Sequence, residues 1–234
     1  MTGRIVSVNV GMPREHGVEG AANPMDRPWM TGFFKEPVAG PVRLGATNLE
    51  GDGQADLRVH GGPDKAVLLY AASHYPAWRE ELGFAMPFGA FGENLSVEGM
   101  TEASTCIGDV LEIGTTRLQV AQPRGPCWKI ARRWKIRDLS ARVQRSGRTG
   151  WYARVLQEGV VQAGDALILV DRPHPEWTVA RANELLHAKQ GRDEEAKAFA
   201  ALPELAAAWR AVVEYRLAHG NLGSEEARLV GPNA

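Results

Sequence analysis

The residue best suited to chemistry in this sequence is Cys127, which lies in a strongly basic segment. Between Pro123 and Arg154 the single acidic residue is Asp138. The basic residues of this segment are Arg124, Lys129, Arg132, Arg133, Lys135, Arg137, Arg142, Arg145, Arg148 and Arg154. Positive neighbours favour the thiolate form of a cysteine, which is the form that attacks electrophiles and binds metals. The same charges would bind an anionic group such as a phosphate, so we predict a thiolate beside an anion site.

The residues before Cys127 indicate that its side chain is held rigidly. The segment Gln122-Pro-Arg-Gly-Pro-Cys127 contains two prolines and a glycine, which restrict the backbone directly before the cysteine. Functional side chains often lie on loops that a rigid scaffold positions, and a helix beginning near Cys127 would stabilise a thiolate further. The alternative is a small buried core cysteine, because free cysteine is among the most buried residue types. The prolines and the basic neighbours favour the functional interpretation.

Three further glycine-containing segments carry polar groups that suit an anionic or heterocyclic ligand. In His60-Gly-Gly-Pro-Asp-Lys65, a tight turn would place His60 and Lys65 on either side of an anion. In Gly92-Glu-Asn94, the Asn94 amide can both donate and accept hydrogen bonds. Arg148 and Arg154 lie around a Gly-x-x-Gly turn and could bind a phosphate bidentately. The alternatives are ordinary surface turns and, for the two arginines, an exposed charged edge.

Composition and charge are those of an ordinary globular protein. The chain has 234 residues, of which 44% are hydrophobic and 24% charged, and its formal net charge is -1; one substantial domain with a small addition is expected. The N-terminal residues alternate like a strand and lack the apolar core of a signal peptide, so we expect a cytoplasmic protein without membrane contact. The two cysteines form no disulfide framework, the histidines lack zinc-site spacing, and no phosphate-binding glycine motif of the nucleotide-cofactor folds is present.

Short apolar segments separated by glycine and proline predict a mainly β structure up to about residue 170. The clearest strands are predicted at Ile5–Val10, Val67–Tyr70, Val110–Ile113, Leu118–Ala121 and Ala166–Val170. Such short strands favour a closed or partly closed barrel over a doubly wound sheet. One helix is predicted at His74–Leu82, and a second from Cys127 towards Ile136. Residues 12–38 contain four prolines and are predicted to form a long surface loop that covers a site.

After the last predicted strand the composition becomes that of a small helical module. Thr178 is expected to cap a first helix and Asp193 a second. Pro203 is expected in the first turn of a third helix, which ends at Gly220. The tail beyond Asn221 is expected to be frayed.

Taken together, these motifs resemble the MOSC domain family, and most of all its YiiM-type branch of bacterial proteins linked to the detoxification of N-hydroxylated bases. The matching segments, in family order, are His60–Ala66, Gly89–Leu95, Ile107–Asp109, Gln122–Cys127, Gly150–Arg154 and Gly164–Asp165. The resemblance implies a mainly β fold, with a MOSC-type β-barrel domain at residues 1–172. It also implies a small C-terminal three-helix module at residues 177–220.

The resemblance further implies a molybdenum cofactor (molybdopterin), with Cys127 as the protein thiolate ligand of the metal. A soft thiolate suits such a site, and the implied reaction is the two-electron reduction of N-hydroxylated bases or related N–OH compounds to amines. Most of this chemistry would belong to the cofactor. His60 is predicted to donate a proton to the leaving water, because an unperturbed imidazole titrates near the working pH. The residues predicted to contact the cofactor are Lys65, Asn94, Arg124, Arg148 and Arg154.

Two other functions remain open from the sequence. One is a sulfur-transfer protein that carries a persulfide on Cys127. The other is a non-catalytic module that binds or delivers the cofactor, or that binds nucleic acid through the basic segment. Nucleic acid is the weaker candidate, because single-strand platforms stack bases on aromatic residues, and few lie between these cations.

A reductase of this kind would need a separate electron donor, and we expect a flavoprotein. The sequence has no flavin, haem or iron–sulfur motif, and two cysteines cannot hold a cluster on four thiolates. The helical module could dock this donor, or it could serve as a structural cap or as the contact of a homodimer.

Overall fold

The computed structural model describes residues 2–188 and 191–233. Within them, the strands are β1 (Thr2–Val10), β2 (Arg14–His16), β3 (Trp29–Thr31), β4 (Glu36–Pro37), β5 (Val42–Leu44), β6 (Val67–Ala71), β7 (Leu95–Glu98), β8 (Val110–Ile113), β9 (Thr116–Pro123), β10 (Trp151–Gln157), β11 (Gly159–Val161) and β12 (Ala166–Asp171). The α-helices are α1 (His74–Leu82), α2 (Lys129–Trp134), α3 (Leu139–Ser146), α4 (Val179–His187), α5 (Asp193–Ala200), α6 (Ala207–His219) and α7 (Glu226–Leu229). In this part of the chain, no helix combines the length and the apolar character needed to span a bilayer.

Seven strands of the described chain close into a barrel. Neighbouring strands follow the order β12-β8-β9-β10-β6-β7-β1, and pairing of β1 with β12 completes the ring, while β4 pairs with the end of β1. A ring with an odd number of strands cannot be antiparallel throughout, and its parallel pair is β6–β7. Parallel neighbours require a long crossover connection. Residues 72–94 provide it, with α1 followed by the glycine-rich segment that ends at Asn94.

The predicted mainly β barrel with a C-terminal helical module is confirmed. Each of the five predicted strands lies within an observed strand, and α1 has the predicted bounds. Helix α2 lies within the second predicted helix but ends at Trp134, because Lys135 adopts a left-handed φ of 57°. Helix α3 was not predicted. It buries Leu139 and Val143 in a cluster with Trp78 of α1. This cluster covers the outside of the barrel beside α2.

The C-terminal helices pack on the barrel through a shared core. Phe199 and Trp209 belong to the same cluster of buried residues as the apolar side chains inside the barrel, and removal of this surface from water stabilises the arrangement. Specific hydrogen bonds add to it. The Ala206 N–H donates to the Ala121 carbonyl of β9 at 2.9 Å, and Arg154 Nη2 of β10 donates to the Glu204 carbonyl at 2.9 Å. The module is therefore fastened beside the end of β9.

Three predictions for the C-terminal part are wrong. Asp193 is the first residue of α5 rather than its cap, and the cap position is Arg192. The third helix of the module begins at Ala207, and Pro203 lies in a turn before it. The tail beyond Asn221 is not frayed. It contains α7 and a 3-10 turn at Gly231–Asn233, and the Trp128 N–H donates to the Arg228 carbonyl at 2.7 Å. The tail therefore folds back onto the loop that carries Cys127.

The turn before β8 is held by a buried charge pair. The Asp109 carboxylate is fully buried and accepts hydrogen bonds from Arg172 Nε at 2.8 Å and Arg172 Nη2 at 2.6 Å. It also accepts from the Cys106 N–H at 2.8 Å. Because Arg172 directly follows β12, this pair ties the end of the barrel to the connection that leads into α4.

We expect Arg172→Met to lower the free energy of unfolding by roughly 3 kcal/mol, because it leaves the Asp109 carboxylate buried without its charged partner. Arg4→Met is the matched control. Arg4 pairs with Glu98 at 2.7 Å, but both side chains are 60% exposed, and such pairs contribute about 0–1 kcal/mol. Urea denaturation measures both changes, and equal losses in the two variants would contradict the assignment.

Candidate functional site

A cavity of about 640 Å³ borders the loop that carries Cys127. Its wall includes parts of the segments 31–35, 53–65 and 122–129, together with residues of α4, α6 and the C-terminal tail. The predicted site residues that line this cavity are His60, Lys65, Asn94, Arg124 and Cys127. The structure thus brings together residues from distant parts of the chain around one space.

Cys127 lies where β9 leads into α2. Its side chain is partly exposed and lines the cavity. Ser140 Oγ of α3 donates to the Cys127 carbonyl at 2.8 Å, and the Ile130 N–H donates to the same carbonyl at 3.2 Å. Cys106, by contrast, is 1% exposed, and burial together with the Asp109 charge raises its pKa to about 11. The alternative of a buried core cysteine therefore describes Cys106 rather than Cys127.

Three basic side chains act on His60 from the walls of the cavity. Burial and the charges of Lys129, Lys65 and Arg124 lower the pKa of His60 to about 3. Lys129 is also close enough to interact electrostatically with Cys127. His60 is therefore neutral near pH 7, and the assumption of an unperturbed imidazole does not hold. Lys65, Arg124 and Lys129 thus bring three positive charges to the wall of one cavity, and such a concentration of charge attracts anions.

Asn94 lines the cavity, but its polar groups are engaged within the protein. Its Oδ1 accepts from the Leu68 N–H at 3.1 Å, and its Nδ2 donates to Asp52 Oδ2 at 2.9 Å and to the Asn9 carbonyl at 3.4 Å. Asp52 also forms a buried ion pair with Lys35, whose pKa is lowered by burial. Since both amide hydrogens of Asn94 are used, its role here is to join β6 and β1 to the Asp52–Lys35 pair.

Arg148 and Arg154, which were predicted to contact the cofactor, do not line the cavity. Arg148 Nη2 donates to Glu81 Oε2 at 2.9 Å, and its guanidinium lies 3.9 Å from the centre of the Trp78 ring. Arg154 Nε donates to Asp64 Oδ1 at 2.9 Å. Each arginine therefore has a carboxylate partner elsewhere in the fold, and neither charge is directed at the site.

The basic segment as a whole does not surround Cys127. Of its ten cations, Arg124 and Lys129 line the cavity. Arg132, Arg133 and Lys135 instead donate to backbone carbonyls, and their acceptors are Pro24, Arg27, Phe33, Gly89 and Met25. All of these bonds except the one to Gly89 fasten the segment 12–38, which contributes Thr31, Gly32, Phe33 and Lys35 to the wall of the cavity. The segment therefore covers part of the cavity, and it is not entirely a loop, because it contains the short hairpin of β2 and β3.

Sequence reasoning missed the cavity residues that come from the C-terminal part. Asn183 and His187 of α4, Trp209 of α6 and Arg228 of α7 all line the cavity, and burial lowers the pKa of His187. Helical spacing indicates which residues face a core, but it does not indicate which of them border a cavity. Arg228 lies in the tail that was expected to be frayed.

The polar groups of the cavity suit a cofactor that brings most of its own metal ligands. In residues 2–188 and 191–233, no three His, Cys, Asp or Glu side chains cluster so as to hold a metal ion. Cys127 lines the cavity, and its thiolate is a candidate ligand for a soft metal there. Gln122 is 3% exposed, and its Oε1 has no hydrogen-bond partner in the protein. A buried acceptor without a partner is costly, and a heterocyclic N–H in the cavity would satisfy it.

We expect acid to destabilise the wild-type protein more than His60→Gln. Below about pH 6.5 the unfolded chain binds a proton at His60, whereas the folded chain does so only near pH 3. The folded state therefore loses stability as the pH falls through this window. Urea denaturation between pH 7 and pH 4 measures the difference, with His219→Gln, an exposed position outside the cavity, as the control. Parallel curves for wild type and His60→Gln would contradict the lowered pKa.

Comparison with known proteins agrees with this architecture. The MOSC domain model matches residues 56–168, and the model of the YiiM-like 3-alpha helix domain matches residues 177–220. YflK of Bacillus subtilis is 44% identical over 181 residues, which cover 77% of this chain and 79% of YflK. A Gibberella moniliformis protein named Reductase is 38% identical over 161 residues, which cover 67% of this chain but 28% of that protein.

A solved structure resembles the whole fold. The crystal structure of YiiM from Geobacillus stearothermophilus aligns with a TM-score of 0.77 at 36% identity, and the alignment covers 92% of this chain and 99% of that one. Both the barrel and the helical module thus have counterparts at substantial sequence identity. The chain belongs to the MOSC domain family, in the YiiM-like branch that also carries the three-helix domain.

Proposed function

We propose that this protein binds the molybdenum cofactor through Cys127 and reduces N-hydroxylated bases or related N–OH compounds to amines. The observation that carries the proposal is the position of the Cys127 side chain at a cavity that also contains Lys65, Arg124 and Lys129. The association of the MOSC family with the molybdenum cofactor supports it. The name of the fungal relative, Reductase, supports the reaction class.

The cavity residues divide naturally among the parts of such a cofactor. Cys127 provides the soft thiolate that molybdenum favours. The charges of Lys65, Arg124 and Lys129 would attract its phosphate, and Gln122 Oε1 would accept an N–H from the pterin ring. When bound, the cofactor supplies the two-electron redox centre at which the N–O bond is cleaved.

The part of the cavity formed by the helical module suits the flat ring of a base. Leu186, Trp209, Val212 and Leu222 line it, and apolar and aromatic surfaces of this kind bind planar rings. Asn183 Nδ2 donates to Thr149 Oγ1 at 3.0 Å. This bond orients the Asn183 amide, and its Oδ1 is the atom that would accept a hydrogen bond from the ring. The module thus contributes to substrate binding in this proposal.

The reaction consumes two electrons and two protons for each substrate molecule. The N–O bond breaks, the nitrogen is reduced to the amine, and the oxygen leaves as water. His60 is a poor proton donor near pH 7 while its burial and the charges of Lys129, Lys65 and Arg124 outweigh the opposing charge of Asp56. An anionic cofactor beside Lys65, Arg124 and Lys129 opposes their charges and raises the pKa of His60, which allows His60 to protonate the leaving oxygen. The electrons come from a separate flavoprotein partner.

We expect molybdenum to be near-stoichiometric in wild-type protein from a cofactor-rich host and almost absent from Cys127→Ala, because the thiolate is the protein ligand of the metal. Cys106→Ser is the matched control. Cys106 lies outside the cavity, and its Sγ is 3.5 Å from the Pro175 carbonyl, a contact that serine can keep. Elemental mass spectrometry of the three proteins measures the metal.

Three outcomes would oppose the proposal, the first two from this measurement and its sulfane-sulfur count and the third from a turnover assay. Comparable metal in Cys127→Ala and wild type would show that Cys127 is not an essential anchor. Folded wild-type protein without metal, but with sulfane sulfur on Cys127, would instead favour the persulfide carrier that the sequence leaves open. Metal without turnover of any N-hydroxylated base would favour the cofactor-delivery module.

We expect Lys65→Met to weaken binding of inorganic phosphate to the cofactor-free protein about tenfold, since one charged hydrogen bond is lost. Arg148→Met removes the same net charge from a residue outside the cavity and should leave the affinity almost unchanged. Isothermal titration calorimetry compares the two variants at one ionic strength. Equal weakening would mean that overall charge, rather than position in the cavity, governs anion binding.

A further inference from the structure

The C-terminal segment 223–233 contacts the loop that carries Cys127 at several points. We propose that this segment fixes the position of Cys127, with Arg228 as the positioning residue. The proposal concerns the protein without any cofactor and does not depend on the reaction assigned above. It rests on hydrogen bonds that reach the residues on both sides of Cys127.

The residue after the cysteine is held by the tail through both of its peptide groups. The Trp128 N–H donates to the Arg228 carbonyl at 2.7 Å, and Asn233 Nδ2 donates to the Trp128 carbonyl at 3.0 Å. The Trp128 ring packs closely against Gly231, where a Cβ atom would lie 2.4 Å from the ring. Gly231 also has a φ of +51°, so a glycine is required here both by the space and by the backbone.

The residue before the cysteine is held by the Arg228 side chain. Its Nη1 donates to the Pro126 carbonyl, and its Nη2 donates to Gln144 Oε1 of α3 at 2.6 Å and to the Glu225 carboxylate. Gln144 Nε2 in turn donates to Glu225 Oε2 at 3.0 Å. One guanidinium therefore connects the loop, α3 and the tail. A lysine could not replace it, because the guanidinium holds several N–H donors in one plane.

A third contact holds the cysteine itself from the opposite side. Ser140 Oγ of α3 donates to the Cys127 carbonyl at 2.8 Å. Main-chain groups of Pro126, Cys127 and Trp128 are thus each bound by α3 or by the tail. Under these constraints the backbone that carries the thiol is held in place by the tail and by α3.

The tail does not contribute to the apolar core of the protein as it contributes to the loop of Cys127. Among the described residues, the two clusters of buried apolar side chains include none after Val213, and the partly buried apolar residues packed against them end at Leu222. Glu225, Ala227 and Arg228 do line the cavity. The contacts of the tail therefore act locally on the site, and their removal should leave the barrel folded.

The test uses the full chain with Arg228→Ala and Asn233→Ala, and it follows two signals at constant pH. One is hydrogen exchange of the Trp128 amide, measured by NMR. The other is the rate at which iodoacetamide alkylates Cys127, measured by intact mass, with buried Cys106 as the internal reference. Glu226→Gln is the control, because Glu226 is an exposed residue of α7 that does not line the cavity.

We expect both signals to increase about tenfold in Arg228→Ala, while the melting temperature stays close to that of Glu226→Gln. Asn233→Ala should show a smaller increase, and Arg228→Lys should restore part of the protection through a single bond to the Pro126 carbonyl. If exchange and alkylation are unchanged in Arg228→Ala, the proposal is overturned. It is also overturned if both increase only in proportion to a loss of global stability.

Discussion

The site depends above all on how the main chain of residues 126–128 is held. Strand β9 leads into this loop from a closed barrel, in which each barrel strand is paired on both sides. Ser140 then binds the Cys127 carbonyl, and the tail binds the peptide groups of Trp128. A thiol that anchors a reactive group needs a defined position, and here that position comes from hydrogen bonds between segments far apart in the chain.

The positive charge of the cavity comes from basic residues that form no ion pair with the carboxylates of the described residues. Arg148 and Arg154 are paired with Glu81 and Asp64, and Lys35 in the wall of the cavity is paired with Asp52. Burial lowers the pKa of His60 most, and the charges of Lys129, Lys65 and Arg124 lower it further, against the opposing charge of Asp56. An anionic ligand would therefore be attracted to the cavity and would also restore a titratable histidine there.

The fold and part of the candidate site could be predicted from the sequence. The correct predictions and the incorrect ones have different physical reasons. Short apolar strands, the glycine-rich turn from His60 to Lys65 and the proline-rich approach to Cys127 are local features. They indicated the barrel and the residues His60, Lys65, Arg124 and Cys127, which line the cavity. Whether an arginine faces a ligand depends on the carboxylates that the fold brings to it. The sequence does not show which carboxylates come close to an arginine in the folded chain. The tail looked frayed because Gly231 and Arg228 act through partners about a hundred residues away, rather than through a local pattern.

The central claim is that Cys127 holds the metal of a cofactor in this cavity. The most direct measurement is anomalous X-ray diffraction at the molybdenum edge, on crystals of protein from a cofactor-rich host. The account predicts one anomalous peak within bonding distance of Cys127 Sγ, beside Gln122 and Arg124. A peak elsewhere in the molecule, or an ordered cavity without a peak in protein shown to contain molybdenum, would contradict it.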